Sequence, residues 1–361
     1  MNHLGINVFS GKRILVTGGT GSMGKTFVKR VLSGEFGIPE KVIVFSRDEG
    51  KQHYMRLDYL HKKVSTDEVI YNNFKNVLEF RIGDVRDYAS VCSALRNVDI
   101  VINAAALKQV PSCEYFPYQA VLTNIMGAEN IVRAINENDL PVETVVGIST
   151  DKAAKPVNVM GMTKAIQERI FTTANVLNKK TRFMCVRYGN VLASRGSVIP
   201  LFHEQIRQGG PVTLTVPDMT RFLLSLDQAV DTVFAVIKDG KAGDTFVPRA
   251  PSATVENIAK ALIADRKIET KITGIRPGEK MHEIMISEEE IHHSHKVGNY
   301  YAIRSMLPEL GDYKGANVEM KKEYSSDDEV LDLKGTIELL TKHGLMDISM
   351  VDESNSSELL R

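Results

Sequence analysis

The sequence has no surplus of either charge: 45 lysines and arginines stand against 45 aspartates and glutamates in 361 residues. That balance argues against the electrostatic footprint of a nucleic-acid binder. Cysteine is scarce. Cys92, Cys113 and Cys185 are widely spaced and odd in number, which gives neither a disulfide framework nor a metal pattern. Histidine clusters only at His292, His293 and His295, in a charged, helix-like segment without matching ligand spacing, so no metal is expected. No apolar run approaches the roughly 20 residues needed to cross a bilayer. The N-terminus has no apolar stretch followed by a small-residue cleavage site. The expectation is a cytoplasmic protein without membrane insertion. There is no internal repeat or low-complexity tract, and the length suffices for a large core and two domains.

What is present begins with a short apolar strand at 13–17 that feeds directly into Gly18-Gly19-Thr20-Gly21-Ser22-Met23-Gly24 and then a helix at 25–32. Strand, glycine turn and helix in that order are the setting of a dinucleotide-binding turn. Gly18 permits the tight turn, Gly21 lets backbone approach a pyrophosphate, and Gly24 allows the helix to pack on the strand. The spacing is Gly-x-x-Gly-x-x-Gly, slightly different from the Gly-x-Gly-x-x-Gly form. Thr17, Gly18, Thr20, Gly21, Ser22, Met23 and Gly24 are the candidate cofactor contacts here. A second strand at 41–45 ends in Ser46, Arg47 and Asp48. An acidic residue there accepts the ribose hydroxyl of NAD, whereas arginine accommodates the extra phosphate of NADP. Ser46 and Arg47 come first, which favours NADP and leaves NAD possible.

A third strand at 78–82 leads to Asp84 and Val85, placed for the adenine; a carboxylate here can equally cap a helix, a role better suited to Asp87. A fourth, at 98–103, runs into Ala104, Ala105 and Ala106, whose small side chains let backbone lie against a flat cofactor. Lys108 follows, either solvated or aimed at a substrate phosphate. A long helix is expected at 116–138. Strands at 142–148 and 181–186 complete the alternation of strand and helix. The fold class is α/β, a Rossmann-type doubly wound parallel sheet with a smaller α/β substrate-binding domain. The expected division is 1–187 for the cofactor domain, with room for some later segments to return to it, 188–340 for the substrate domain and 341–361 for a tail.

The stretch from Ser149 to Lys164 concentrates the chemistry. Thr150, Asp151 and Lys152 place a hydroxyl, a carboxylate and an amine where the fifth strand ends, the region in which such sheets bind ligands. Pro156 and Asn158 then precede a helix at 159–177, on which Met160 and Lys164, four apart, share a face.

With these motifs in place the chain resembles an extended short-chain dehydrogenase/reductase of the nucleotide-sugar-modifying type. More narrowly, it resembles the soluble UDP-N-acetylglucosamine 4,6-dehydratases, capsule-type branch. The resemblance rests on Thr-Gly-Gly-Thr-Gly-Ser-Met-Gly, Phe-Ser-Arg-Asp-Glu, Gly-Asp-Val-Arg-Asp, Ala-Ala-Ala-Leu-Lys-Gln-Val-Pro, Ser-Thr-Asp-Lys-Ala, Arg-Tyr-Gly-Asn-Val and Met-Thr-Arg-Phe, over residues 13 to about 285. Most of the superfamily carries Tyr-x-x-x-Lys with tyrosine as the base. Met160 stands in its place, as in the branch this chain looks like, and a thioether has no ionisable proton.

The resemblance implies transient oxidation at C4 of the sugar, loss of water across C5–C6 and reduction at C6, for bacterial surface-glycan synthesis. It implies Lys152 as the C5 base with a depressed pKa and Asp151 as the acid for the C6 hydroxyl with a raised one. Lys164 is expected to hold the nicotinamide ribose and Thr150 to bond the C4 oxygen. Lys108, Asn190, Arg195, Arg221, Arg276 and Glu279 are the candidates for the UDP-sugar. A C4 epimerase and a non-catalytic NADP-binding regulator stand as alternatives. Retention or inversion at C5 stays open. A homo-oligomer, dimer or hexamer, is expected, with 88–96 and 116–138 as candidate faces.

Overall fold

The computed structural model describes residues 7–60, 74–192, 197–310 and 320–347. Its frame is a nine-stranded sheet. β1 (Arg13–Thr17), β2 (Lys41–Ser46), β3 (Leu78–Ile82), β4 (Ile100–Asn103), β5 (Thr144–Thr150) and β6 (Arg182–Tyr188) lie parallel in the order β3-β2-β1-β4-β5-β6. The central strands β1, β2 and β4 to β6 are near-continuous apolar runs because helices cover both of their faces. One apolar layer gathers Phe9, Phe27, Val44 and Phe234; the other gathers Phe45, Val101, Phe171 and Phe183. Each fully buried phenylalanine contributes roughly 1.5–3 kcal/mol of transfer free energy.

The second half of the chain does not stay apart from this sheet. After β7 (Val212–Leu214) and β8 (Thr220–Phe222), β9 (Thr245–Pro248) joins β6 in parallel. Following β10 (Ser252–Thr254), β11 (Thr270–Ile272) and β12 (Ile284–Ile286), the hairpin of β13 (Ser294–Val297) and β14 (Tyr300–Ile303) adds two antiparallel strands at that edge. The remaining segments build a smaller unit with its own core, including Leu192, Phe202, Leu214, Ile258 and Leu340. Two-stranded pairs β7–β11 and β12–β15 (Tyr324–Ser325) flank it. The expected tail falls outside the described residues from 348 onward, and the helix Leu333–Lys342 runs across its expected start.

Three local expectations change. The first helix, α1 (Ser22–Leu32), begins a turn earlier than residue 25, because Gly24 brings it onto Gly19: a Cβ at Gly24 would stand 2.6 Å from Gly19 Cα. The single helix expected at 116–138 is three pieces: Pro117–Ala120, a wide π-type turn at Val121–Met126, and α2 (Gly127–Glu137). The cause is Asn124, fully buried, whose amide bonds Leu107 N and O and Thr163 Oγ1. The histidines leave the helix: His292 ends the short helix Glu288–Ile291 and His295 lies in β13. Asp87 caps the helix Tyr88–Leu95 as expected, accepting from Ala89 N and Ser90 N. Among the described residues, no helix is long and apolar enough to cross a membrane.

Candidate active site

The carboxyl ends of β1, β2, β4, β5 and β6 open onto one region. Gly18 turns out of β1 with φ of +65°, and a Cβ there would lie 2.7 Å from Ala105 N, so only glycine fits under Ala104 and Ala105. Thr17 Oγ1 fastens the two strand ends, donating to Asn103 Oδ1 (2.7 Å) and accepting from Ala105 N (3.2 Å). Thr20 meets Ser46 at 3.2 Å, while Gly21, Ser22 and Met23 are at least partly accessible at the start of α1. Ala106 is half-buried and Lys108 exposed on the segment after β4.

Beyond β2, Asp48 spends one carboxylate oxygen on Lys51 N (2.9 Å) and lies 3.0 Å from Lys51 Nζ. Arg47 is exposed beside it. Asp84 is bound by Arg86 and lies 3.9 Å from Arg47. Burial would raise the Asp84 carboxyl, but hydrogen bonds from Arg86 hold it below the usual range. Val85 packs under Gly127.

β5 delivers Thr150 and Asp151 to the same rim. Asp151 is fully buried, and Lys152 is its neighbour on the open side, with 20% of its side chain exposed. Thr150 Oγ1 donates to Asp151 Oδ1 (2.8 Å) and accepts from Lys152 N (3.4 Å). Lys152 Nζ lies 3.0 Å from Asp151 Oδ1, 3.0 Å from Glu283 Oε1 and 3.3 Å from Asn190 Oδ1. Three acceptors thus meet the three N–H bonds of one ammonium.

This geometry changes one expectation. Burial raises the Asp151 carboxyl, as expected of an acid. Burial would lower the Lys152 ammonium, but Asp151 and Glu283 outweigh it and the net shift is upward. Lys152 is therefore a charged group in the resting site, not a depressed one. Glu283 is the residue sequence reasoning missed. It sits far along the chain, just before β12, and no spacing links it to Asp151; only folding brings them together.

The helix that follows, α3 (Val159–Leu177), is seated directly on this turn. A Cβ at Gly161 would stand 2.1 Å from Lys152 O, which leaves room for hydrogen only. Asn158 caps α3 through Gly161 N (2.8 Å) and donates to Gly278 O (2.8 Å). Lys280 Nζ donates to Ala154 O (2.7 Å), so the turn at 276–280 is stitched over the site. Arg276 on that turn is exposed, and its N–H is accepted by Glu279 Oε2 at 3.2 Å. Arg221 is buried instead: it donates to Thr220 O, Lys280 O and Met281 O, and its Nε lies 3.9 Å from Glu283 Oε1. Arg195 lies outside the described residues.

Met160 and Lys164 leave their shared helix face in different directions. Met160 packs with Cys113 and Ala120. Lys164 Nζ donates to Ile148 O and Gln167 Oε1, both at 2.9 Å. Burial pushes the Lys164 ammonium down from 10.5 to about 8. Between those two values the unfolded chain holds a proton that the folded chain has released, so raising the pH stabilises the fold. Wild-type stability measured by urea unfolding should rise relative to Lys164→Met by up to about 3 kcal/mol between pH 7.5 and pH 10.5. A gap that stays constant with pH would mean Lys164 titrates as an ordinary lysine.

Comparison with known proteins places this arrangement among relatives. Residues 14–305 match the family described as polysaccharide biosynthesis protein. The UDP-glucose 4-epimerase of Rickettsia bellii (strain OSU 85-389) is 46% identical over 301 residues, 82% of this chain and 84% of that one. The UDP-N-acetylglucosamine 4,6-dehydratase (inverting) of Campylobacter jejuni subsp. jejuni serotype O:23/36 (strain 81-176) is 42% identical over 333 residues, 89% of this chain and 94% of that one. The X-ray structure of Pen from Bacillus thuringiensis superposes with a TM-score of 0.82 at 33% identity, over 93% of this chain and 99% of that one.

Proposed function

The chain belongs to the polysaccharide biosynthesis protein family, within the extended short-chain dehydrogenase/reductases, and from that membership we propose that it is an NADP-dependent UDP-N-acetylglucosamine 4,6-dehydratase. The observation that carries the reading is the Asp151–Lys152 pair at the end of β5. Elimination of water needs a proton taken from C5 and a proton given to the C6 oxygen, and the pair holds a carboxyl that burial pushes upward and an amine side by side. The Campylobacter dehydratase, covered over most of both chains, supports the same reading.

A nicotinamide cofactor fits the turn after β1, where the hydrogen of Gly18 is all that fits beneath Ala105. Gly21, Ser22, Met23 and Gly24 would cradle its pyrophosphate at the start of α1, with Thr20 alongside. NADP is favoured because the Asp48 carboxylate is engaged by Lys51, while Ser46 and the exposed Arg47 remain at the end of β2. Asp84 and Val85 would flank the adenine, and Ala104 to Ala106 the ribose. When bound, the cofactor supplies oxidation at C4 and the matching reduction at C6.

In this proposal Asp151 protonates the departing C6 hydroxyl, and Lys152, at the open side of the trio, takes the C5 proton. Thr150 lies beside the sugar C4 oxygen and Lys164 beneath the nicotinamide ribose. Lys108, Asn190, Arg276 and Glu279 would line the path of the UDP group, and Arg195 is a candidate for it by sequence alone. Arg221 acts from behind, holding the turn that covers the site. A second reading, a C4 epimerase, is favoured by the name and 46% identity of the Rickettsia relative. Epimerisation expels no water, so it leaves the acid at Asp151 without work.

Proton NMR of the protein with UDP-N-acetylglucosamine and NADP⁺ in D₂O separates the two. A new C6 methyl signal is the expected result, and its C5 coupling reports retention or inversion. An epimerised sugar that keeps its C6 hydroxyl would give the second reading the lead.

A further inference from the structure

We propose that Glu283 is a positioning residue that acts through Lys152: its buried carboxylate holds the lysine amine at the mouth of the site and receives the lysine's proton before C5 is attacked. The inference rests on the dehydratase reading and deepens it. Its starting point is the saturation of Lys152 Nζ by Asp151 Oδ1, Glu283 Oε1 and Asn190 Oδ1. An amine with three hydrogens and three acceptors has no lone pair to offer a C–H bond. One neighbour must first take a proton.

Asn190 cannot, because an amide oxygen is too weak a base. Asp151 is poorly suited, because the same elimination needs it to carry a proton to the C6 oxygen. Glu283 is left, and its surroundings suit it. Burial favours its neutral carboxyl, and the charges of Lys152 and then Arg221 hold it ionised; passing the proton from Lys152 cancels the first of those charges and leaves burial favouring the acid. Its Oε2 is buried and finds no partner among the described residues, so it has room for a proton. The charged and titratable groups that face it are Lys152 and Asp151 from the β5 turn, Arg221 from β8 and Lys280 from its own turn. Its backbone is fixed by Ser326, since Glu283 N donates to Ser326 Oγ (2.9 Å). Ser326 in turn meets Thr220, which meets His282 Nδ1.

The protons balance. Lys152 passes one across 3.0 Å to Glu283, giving a neutral amine and a neutral acid. The amine takes the C5 hydrogen as a proton, while Asp151 gives its own to the C6 oxygen and water leaves. The proton on Glu283 then returns through Lys152 to Asp151, and the trio is restored. No oxidant or further reactant is needed for these transfers.

Glu283→Gln keeps the shape and removes the acceptor. Lys152 must then lose its proton to bulk solvent. At pH 7 kcat should fall roughly 10²-fold, KM should hold, and the deficit should shrink about tenfold per pH unit towards alkaline pH. Glu283→Asp should recover part of the rate, because it still accepts a proton. A deficit of the same size at every pH would mean that Glu283 only supports the fold, and would overturn the proposal. A second readout is independent of turnover: the Lys152 titration followed by NMR should move to lower pH in Glu283→Gln, because an anion has been removed. An unmoved Lys152 titration would also overturn it. Should the wild-type protein form no dehydrated sugar while Lys152 does move, the dehydratase reading fails and the Lys152–Glu283 pairing stands.

Discussion

Lys152→Ala is expected to lower turnover of UDP-N-acetylglucosamine by about 10³-fold or more, the upper range for loss of a general acid or base. The hydrogen at C5 should also cease to exchange with D₂O, because the other amine near Asp151 and Glu283, Lys280, is held on Ala154 O. In the proposed reaction oxidation at C4 does not use Lys152, so reduced cofactor should still form on mixing, visible by absorbance. The combination matters. Loss of both signals would point to a site that no longer assembles, whereas continued C5 exchange would remove Lys152 from the base position. The variant has a stability signature as well. Asp151 and Glu283 lose the cation between them, and both are buried. In the wild type, Glu283 is held below its ordinary value, so its contribution exists above the unfolded carboxylate pKa and fades as pH falls through the folded one. The penalty in Lys152→Ala should therefore be largest near neutrality and diminish in acid.

Arg187→Met should produce the largest loss of stability. Arg187 sits buried near the end of β6 between two carboxylates. Its guanidinium bonds Glu168 at 3.1 and 2.6 Å, Glu290 at 2.8 and 2.9 Å, and Met285 O at 2.8 Å. Removing it strands two buried acids, and breaking such a pair costs about 3–5 kcal/mol. Burial would raise the Glu290 carboxyl, and Arg187 more than offsets that, so the wild-type contribution is present above the unfolded pKa and lost in acid. Urea midpoints compared at pH 7 and about pH 3 should show a wide gap that narrows at the lower pH. Equal midpoints at pH 7 would show that the cluster adds nothing. Catalysis should suffer too. Glu290 lies in the short helix after β12, and Glu283 lies just before that strand, so Arg187 anchors the segment that carries the missed carboxylate.

The sheet was legible from the chain because each inner strand is a mostly apolar run ending in a glycine, a polar residue or a small residue. β3 lies where the sequence puts it at both ends, and β5 and β6 extend two residues beyond their expected ends to deliver Thr150 and Tyr188. The Thr150–Lys152 group was legible for a similar reason: its members are consecutive, so strand geometry alone gathers them. Glu283 was not, since its closeness to Lys152 depends on the 276–280 turn, Asn158 and Lys280 acting together. The charge state of Lys152 was hidden for the same reason. With Asp151 alone beside it, burial could have won; the second carboxylate decides the sign. Arg221 looked like a phosphate ligand because arginine in a turn usually is exposed, and nothing local announces that its donors are taken by Thr220, Lys280 and Met281.

The wide turn at Val121–Met126 sets a phase. Gly127 N reaches back to Leu122 O, one residue further than a regular helix allows. A residue in an α-helix advances about 100° around the axis, so that one extra position rotates everything after it by more than a quarter of a circle. Before the turn, the winding places Ala120 against Met160; within it, Asn124 faces Leu107 and Thr163; after it, Ile131 and Ile135 face the sheet. A uniform helix through these residues would have to give up one of those three alignments. The extra residue works like a leap day, letting two calendars of different length, the cleft's and the core's, keep the same dates.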